Sequence, residues 1–332
     1  MTSTENGADV FNLRVLDINP QKELERITAF IQTQVFDRLR RRGVVVAVSG
    51  GVDSSVTAAL AVEAMGKERV LTLALPEKES SPESIHLGKL LARHLETKLI
   101  TEDITPALEA FGCYHRRDAA VKRILPQYDS NYKMKIVQPL NLLQNGRINF
   151  YNLVIENPEG EQFTQRIPLR ELLEIVAATN HKQRTRKQFE YYHADRLQYA
   201  VAGTPNRLEY DQGFFVKGGD GLADIKPIAH LYKTQVYALA RHLGIPDDIL
   251  SLKPSTDTYS LSQTQEEFFF ALPYDKLDLI LWALNHSAPA EQVAEVMNLT
   301  AEQVKWVYRD IIQKRKTTEY LHQSPLILET VL

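Results

Sequence analysis

Apolar and polar positions follow two different periods along the first third of the chain. From residue 20 onward apolar side chains recur at helical spacing, and this stretch ends in a basic turn over residues 40–42. A run of valines then predicts a buried strand, and later apolar runs alternate with helical stretches. The predicted elements are a helix over 20–42, a strand over 44–48, a helix over 54–65, a strand over 70–75, a helix over 84–94 and a strand over 98–100. This order predicts βαβ units of a parallel sheet.

The periodic pattern breaks between residues 111 and 168. Polar runs and turn signals, including Asn145-Gly146 and the stretch 157–160, separate two segments of alternating polarity and predict a small antiparallel hairpin. The alternating segments are 148–155 and 163–167; helical spacing then resumes over 169–178 and 186–195, and a strand is predicted over 197–202. We interpret residues 111–168 as an insertion, after which the parallel fold restarts.

These patterns predict an α/β fold with a doubly wound parallel sheet and a small β-hairpin insertion. The expected organisation is a single domain over residues 1–332, interrupted by the insertion at 111–168 and closed by a helical segment at 286–332. Two short helices predicted over 289–297 and 300–313 imitate a helix-turn-helix. The chain has few candidate base-reading side chains, so we expect packing and no nucleic acid partner.

Composition restricts the partners and the compartment. The 39 basic and 42 acidic residues give a formal charge of −3, so no strong field recruits nucleic acid or an anionic membrane. The first twenty residues lack the plan of a signal peptide, and no apolar run approaches the roughly 20 residues that span a bilayer. The single cysteine, Cys113, cannot form an internal disulfide. We therefore expect a cytoplasmic protein without a membrane partner.

The stretch "VVVAVSGGVDSSVTAAL" over residues 44–60 carries the candidate chemistry. Glycine has no Cβ, so a strand that runs into Gly50 and Gly51 lets the backbone approach a ligand, and the helix that follows presents N–H groups and its positive dipole end. Serine hydroxyls at positions 49, 54 and 55 add donors. Asp53 would repel a bare phosphate unless a divalent cation lay between them. The turn therefore predicts a site for magnesium-bound polyphosphate.

The Ser-Gly-Gly-Val-Asp-Ser sequence resembles the SGG-x-DS signature of the N-type ATP pyrophosphatase superfamily. Within that superfamily, three further segments resemble the NAD synthetase branch: "LPEKESSPES", "NHKQRTR" and "GTPNRLEYDQGFFVKGGDGLADIKPIAHLYKTQV". The resemblance covers about residues 20–110 and 170–320. It implies an adenine nucleotide alpha hydrolase-like, Rossmann-like fold.

The resemblance also implies a reaction, which is ATP-dependent amidation of deamido-NAD to NAD. The substrate carboxylate is adenylated with release of pyrophosphate, and ammonia then displaces AMP. The implied cofactor is Mg²⁺, with ATP as cosubstrate, and the implied assembly is a homodimer. The chain shows no fused glutaminase, so free ammonia or a separate glutaminase partner is expected to supply the nitrogen.

Roles for individual residues follow from the same resemblance. The implied ATP-binding residues are Ser49, Gly50, Gly51, Val52, Asp53, Ser54, Ser55, Lys78, Thr204, Lys233 and Ser255. The implied metal ligands are Asp53 and Glu209, and the implied catalytic residues are Asp220, Lys217 and Lys233. The implied substrate-binding residues are Arg184, Lys217, Asp224 and Lys314. Two hard carboxylates with phosphate oxygens suit Mg²⁺, and a carboxylate such as Asp220 can attract ammonium and accept its proton.

Several positions depart from the family pattern, mainly on the acceptor side. Lys78 replaces an arginine, Gln265 stands where the family has an aspartate in Gln-x-Asp-Glu, and Gln313-Lys314 replaces a His-Lys pair. The insertion at 111–168 is interpreted either as a surface hairpin or as a lid for a different acid. Two alternatives therefore stay open: an amide ligase for another carboxylic acid, and a non-catalytic nucleotide-binding regulator.

Overall fold

The computed structural model describes residues 11–138, 151–252, 258–270 and 272–329. The helices are α1 Pro20–Gln32, α2 Val52–Met65, α3 Pro82–His94, α4 Thr105–Ala110, α5 Cys113–Ile124, α6 Leu169–Leu197, α7 Arg207–Gln212, α8 Lys233–His242, α9 Asp247–Leu250, α10 Tyr274–Asn285, α11 Ala290–Met297 and α12 Ala301–His322. The strands are β1 Val44–Ala47, β2 Val70–Ala74, β3 Lys98–Thr101, β4 Lys133–Val137, β5 Asn152–Glu156, β6 Gln162–Arg166 and β7 Ala200–Ala202. Shorter π-helical and 3₁₀ turns lie at Thr33–Arg38, Lys67–Arg69 and Glu266–Phe270.

The main sheet of the described chain has the strand order β3-β2-β1-β7, and all its pairings are parallel. Val44 and Val46 belong to a core cluster that includes residues of α1, α2 and α8. Val45 packs instead in a cluster with residues of α4, α5 and α6. Successive side chains of a strand point to opposite faces, so helices cover both faces of the sheet. The predicted doubly wound α/β fold is confirmed.

The predicted hairpin is also present and is part of a larger antiparallel sheet. In the part of the chain that the structure describes, β5 and β6 pair antiparallel, and β4 adds a strand that the sequence pattern did not reveal, in the order β4-β5-β6. Met134, Ile136, Leu153 and Ile155 bury one face of this sheet against α5 and the start of α6. We call β4, β5 and β6 the inserted sheet.

Helix α5 lies within residues 111–168 and was not predicted. It begins at Cys113, which packs with Tyr114 in the cluster beneath the main sheet, whereas Ala120 and Val121 pack on the inserted sheet. The helix therefore joins the two sheets. The division of the chain into an insertion at 111–168 and a helical segment at 286–332 stays a prediction.

Helices α10, α11 and α12 form a separate cluster around Leu281, Val293 and Val307, against which Phe11 and Leu16 also pack. The predicted helical pair near the C-terminus is thus observed, with the second helix extending to His322. Among the described helices there is none of the length and apolarity needed to cross a membrane.

Candidate functional site

The turn between β1 and α2 lies at the carboxyl end of the central pair of strands. Gly50 has a φ of +81°, and a Cβ there would lie 2.9 Å from both the Cβ of Leu87 and the carbonyl oxygen of Ser84. Gly51 is the N-cap of α2. The chain can therefore turn this sharply, and pack this closely on α3, only with glycine at position 50.

Ser54 and Ser55, two serines of the motif that lie in the first turn of α2, hydrogen-bond to the glycine turn. The hydroxyls of Ser54 and Ser55 donate to the carbonyl oxygen of Gly51, at 3.0 and 2.9 Å. The backbone N–H of Ser49 donates to the Ser54 hydroxyl at 3.3 Å. Ser54 and Ser55 are buried, whereas Ser49 is exposed at the turn. The first backbone N–H groups of α2, which lack intrahelical acceptors, face the same region as Ser49.

Asn206 joins the β1 turn to the residues that follow β7. Its side-chain N–H donates to Asp53 Oδ1 at 3.1 Å, and the amide is fully buried. Asn206 also caps α7: its Oδ1 accepts from the Glu209 N–H, while its own N–H donates to Glu209 Oε2 at 3.1 Å. This reciprocal capping box fixes Glu209 relative to Asp53. The two predicted metal ligands are thus brought to one place by a residue that was not predicted.

Lys233 enters the same cluster from the first position of α8. It is 1% exposed, and its ammonium forms an ion pair with Asp53 Oδ2. Asp278 of α10 accepts from the backbone N–H groups of Lys233 and Thr234, at 3.2 and 2.7 Å. Residues from α2, α7, α8 and α10 therefore converge at this end of the sheet.

The carboxylates of this cluster are close enough to oppose each other. Burial, followed by the charge of Asp53, raises the pKa of Glu209 to about 8. Burial works against the charge of Lys233, but Asp53 and Glu209 outweigh it and raise the pKa of that lysine. With both carboxylates ionised, the cluster would carry more negative charge than one lysine neutralises, and the raised pKa of Glu209 reflects this. A divalent cation would remove the repulsion between Asp53 and Glu209.

The donor set fits Mg²⁺ delivered with a nucleotide. Asp53 and Glu209 supply carboxylate oxygens, and Mg²⁺ is commonly held by one or two carboxylates with phosphate oxygens and water completing the shell. No group of three or more potential ligands from histidine, cysteine, aspartate and glutamate occurs within the described residues. Such a site would therefore depend on the phosphates of its ligand.

The other predicted ATP contacts, Lys78, Thr204 and Ser255, follow β2, follow β7 and lie outside the described residues, respectively. Lys78 follows β2, and its ammonium lies 3.5 Å from the centre of the Tyr114 ring. Thr204 is half-buried just after β7, two residues before Asn206. Ser255 belongs to residues 253–257, which are not described.

Four predicted acceptor-side residues meet at the loop between α7 and α8. Arg184 of α6 donates to the Lys217 carbonyl oxygen at 3.2 Å, and the Val216 N–H donates to Asp220 at 2.7 Å. Asp224 accepts from the Val201 N–H and the Tyr191 hydroxyl. Burial raises the pKa of Asp220, against the hydrogen bond from Val216. The ammonium of Lys217 donates to the carbonyl oxygens of Tyr320 and Gln323 at the end of α12.

Among the described residues, the Lys314 ammonium donates no hydrogen bond to the cluster around Asp53 or to the loop between α7 and α8. Its ammonium donates to the Phe269 carbonyl oxygen at 2.8 Å and pairs with Asp310 at 2.7 Å. Burial lowers its pKa. The structure therefore places Lys314 in a buried contact between α12 and residues 258–270.

Three polar residues of the site were missed by the sequence reading. The Asn206 to Glu209 spacing is a capping-box signal that could have identified Asn206. Gln265 donates from its amide to Glu209 Oε1 at 3.1 Å, and the Tyr274 hydroxyl donates to Gln265 Oε1 at 2.8 Å. Gln265 and Tyr274 carry no local signal, because their partners are set by the packing of distant segments.

The fold and the cluster around Asp53 together define an α/β protein with a nucleotide site at the carboxyl end of its parallel sheet. The sequence profile of the NAD synthase family matches residues 23–142 and 116–325. An NH(3)-dependent NAD(+) synthetase from Rhizobium meliloti is 54% identical over 322 residues, covering 97% of this chain and 96% of the relative. Another from Methanocaldococcus jannaschii is 32% identical, covering 92% of this chain and 96% of the relative. The chain belongs to the NAD synthase family.

Solved structures share the fold at low sequence identity. An NMN synthetase from Francisella tularensis superposes with a TM-score of 0.61 at 21% identity, covering 95% of this chain and all of that chain. An NH3-dependent NAD synthetase from Campylobacter jejuni superposes with a TM-score of 0.60 at 21% identity, covering 94% of this chain and all of that chain. These similarities support the fold, and the family assignment comes from the closer sequence matches.

Proposed function

We infer that this protein converts deamido-NAD to NAD, using ATP and ammonia and releasing AMP and pyrophosphate. The observation that carries this conclusion is the cluster of Asp53, Asn206, Glu209 and Lys233 beside the glycine turn. Its two carboxylates, its buried lysine and the neighbouring backbone N–H donors suit a magnesium-bound polyphosphate. The 54% identical relative named NH(3)-dependent NAD(+) synthetase supports the choice of substrates.

In the first step a carboxylate oxygen of deamido-NAD attacks the α-phosphorus of ATP, and the bond from that phosphorus to the bridging oxygen breaks. Pyrophosphate leaves with the electron pair. The turn around Gly50 and Ser49 is proposed to hold the β- and γ-phosphates, since its N–H groups and hydroxyl are donors. Lys233 places a buried positive charge where negative charge develops on the leaving group.

In the second step the nitrogen of ammonia attacks the carbonyl carbon of the adenylate, the bond from that carbon to the oxygen attached to phosphorus breaks, and AMP leaves with that oxygen. The nitrogen must lose protons, and Asp220 is proposed to attract ammonium and accept one of them. Lys217 is proposed to lie near the substrate carboxylate. Arg184, Asp224 and Lys314 are proposed to contact the dinucleotide.

We propose that Asp53 and Glu209 bind Mg²⁺ together with the phosphates. The ion would screen the phosphate charge and polarise the leaving pyrophosphate. Asn206 holds both carboxylates through its amide and its backbone. Lys78, Thr204 and Ser255 are proposed as further ATP contacts, by resemblance to the family.

We also propose a cytoplasmic homodimer that uses free ammonia or ammonia from a separate glutaminase. The cytoplasmic setting agrees with a reaction that consumes ATP and with a lone buried thiol, Cys113. Exposed leucines on α6, Leu169 and Leu173, support an interface between two copies of the chain.

The test incubates the purified protein with Mg-ATP, ammonium and deamido-NAD and measures NAD and pyrophosphate together. Equal amounts of the two products are expected. Asp53→Ala should abolish both, whereas Asp17→Ala, which removes an exposed carboxylate paired with Arg14, should leave both unchanged. Pyrophosphate without NAD would show that ATP or the adenylate is hydrolysed and not used for amidation, since deamido-NAD is the only acid supplied. ATP binding with neither product would exclude deamido-NAD as the acceptor and leave another carboxylic acid or a regulatory role.

A further inference from the structure

Residues 258–270 lie along the β4 edge of the inserted sheet. The Leu261 N–H donates to the Met134 carbonyl oxygen at 3.1 Å, and the Gln138 N–H donates to the Glu267 carbonyl oxygen at 2.9 Å. The Met134 N–H donates to the Ser260 hydroxyl at 2.9 Å. Strand β4 is an outer strand of the described sheet, and these contacts give partners to its outward-facing backbone groups. We call residues 258–270 the edge segment.

Side chains reinforce this backbone contact. The Lys135 ammonium donates to the Ser262 carbonyl oxygen and pairs with Glu267, each at 3.1 Å. Tyr259 is buried in the core of the inserted sheet, and Phe268 packs against the same core. The edge segment is therefore attached to the inserted sheet along its length.

The edge segment carries Gln265 into the nucleotide site. Its amide N–H donates to Glu209 Oε1, and Glu209 Oε2 accepts from the Asn206 backbone N–H. The two oxygens of Glu209 are thus held from two different elements. The Tyr274 hydroxyl donates to Gln265 Oε1 and so fixes the orientation of the amide.

The amide at position 265 suits this place chemically. Glu209 already lies close to a second carboxylate, because Asn206 hydrogen-bonds both Glu209 and Asp53. A carboxylate at 265, as in the family pattern, would add a second repulsion, whereas an amide donates a hydrogen bond without charge. Gln265, which departs from the family pattern, thus lies on the segment that contacts the inserted sheet.

We propose that the inserted sheet is a scaffold that positions Glu209 for Mg-ATP by holding the edge segment and its Gln265. Gln265 is a positioning residue, since it acts through Glu209. This inference rests on the proposed nucleotide function of the site, but not on the identity of the acid that is amidated. The inserted sheet then serves the ATP side of the reaction, rather than being a surface hairpin or a lid.

The first test measures nucleotide binding by titration calorimetry, with Mg²⁺ and with a chelator. Gln265→Met keeps the length of the side chain and removes the donor, so the dissociation constant of Mg-ATP is expected to rise about five- to tenfold. Metal-free ATP binding should stay unchanged, because Glu209 acts through the ion. Tyr274→Phe should shift Mg-ATP binding in the same direction by a smaller factor. Equal losses with and without Mg²⁺, or no loss at all, would overturn the role of Gln265.

The second test asks whether loosening the edge segment from the inserted sheet weakens Mg-ATP binding at the site. Lys135→Met with Ser260→Ala removes two attachments of the edge segment, and Lys133→Met with Thr164→Ala is the matched control on the same sheet. The first pair should speed hydrogen exchange at the Leu261 and Gln138 amides of the nucleotide-free protein and weaken Mg-ATP binding about threefold.

The control pair should change neither quantity, because Lys133 pairs with Glu156 within the sheet and contacts no residue of the edge segment through an ion pair. Faster exchange with unchanged Mg-ATP binding would overturn the scaffold proposal. Both measurements omit deamido-NAD and ammonia. A wild-type protein that binds Mg-ATP but forms no NAD would therefore count against the proposed reaction, and the scaffold proposal would still be decided.

Discussion

The charges around Asp53 determine how Lys233 contributes to the stability and the proposed catalysis of this protein. Lys233 is buried and pairs with Asp53, while burial and then the charge of Asp53 raise the pKa of Glu209. Removing one partner of a buried ion pair leaves the other charge uncompensated, which costs about 3–5 kcal/mol. The lysine is therefore expected to matter for stability as well as for the departure of pyrophosphate.

Lys233→Met should lower the free energy of unfolding by about 3 kcal/mol and reduce turnover at least a hundredfold. Mg-ATP should restore more of the stability than metal-free ATP does, since the ion can replace the lost positive charge between the carboxylates. Thermal unfolding with Mg-ATP and with metal-free ATP checks this. Lys305→Met, at an exposed pair with Glu291, is the control and should respond to both as the wild type does. A Lys233→Met protein that Mg-ATP stabilises no more than metal-free ATP would contradict the assignment of the metal ligands.

Two glycines with positive φ distinguish backbone strain from side-chain crowding. Gly50 and Gly66 have φ values of +81° and +80°, but a Cβ at Gly50 would meet Leu87 and Ser84, whereas nothing lies within 4 Å of one at Gly66. Gly66→Ala should cost about 1–3 kcal/mol from backbone strain alone, because its φ of +80° with a ψ of 147° is a conformation essentially restricted to glycine. Gly50→Ala should cost more and weaken Mg-ATP binding at least tenfold, as measured by urea unfolding and calorimetry. Equal effects of the two substitutions would show that the turn is not tightly packed.

At the scale of elements, the N-terminus of α8 depends on a residue from another helix. Asp278 of α10 accepts from the N–H groups of Lys233 and Thr234, and it is fully buried. Burial raises the pKa of Asp278 to about 6 despite those hydrogen bonds. The packing of α8 on α10 is therefore coupled to the protonation of one carboxyl group.

The sign of this coupling follows from the two pKa values. The unfolded carboxyl ionises near pH 4, so between about pH 4 and pH 6 the folded protein binds more protons. The contribution of Asp278 to the free energy of unfolding therefore falls as the pH rises through this window and is constant above it. Asp278→Asn removes this dependence. Urea unfolding should show the difference between wild type and variant changing by about 3 kcal/mol from pH 4 to pH 7. An unchanged difference would contradict a raised pKa.

Comparing the predicted with the observed helices and strands shows which elements local sequence patterns identify. Strands β1 to β3 and helices α2 and α3 were predicted because their apolar positions follow a single period. Strand β4 was missed because its partner β5 lies beyond residues of mixed polarity, and α5 was missed because its sequence is polar over most of its length. The glycine turn was found because its contacts are local. The bond from Asn206 to Asp53 spans 153 positions, so only the fold could bring these residues together.

At the scale of the whole molecule, one face of α6 exposes apolar side chains that a monomer would leave in water. Leu169 and Leu173 are one helical turn apart and are 70% and 59% exposed. Phe163 of β6 is half exposed. Adjacent exposed leucines are typical of an interface, and the family resemblance implies a homodimer.

Leu173→Glu is therefore expected to convert a dimer to a monomer, because a charge placed in an apolar interface loses its hydration without gaining a partner. Sedimentation velocity over a range of protein concentrations measures the dissociation constant, which should rise at least a hundredfold. Leu13→Glu is the matched control, since Leu13 is 58% exposed, close to the 59% of Leu173, but lies on another part of the chain, so its substitution should leave the constant unchanged. A wild-type monomer at all concentrations would exclude the homodimer. A Leu173→Glu dimer of unchanged affinity would show that the interface lies on another face.

If the variant is monomeric and also loses affinity for deamido-NAD but keeps its affinity for Mg-ATP, then the acceptor site spans the interface while the ATP site is complete within one chain.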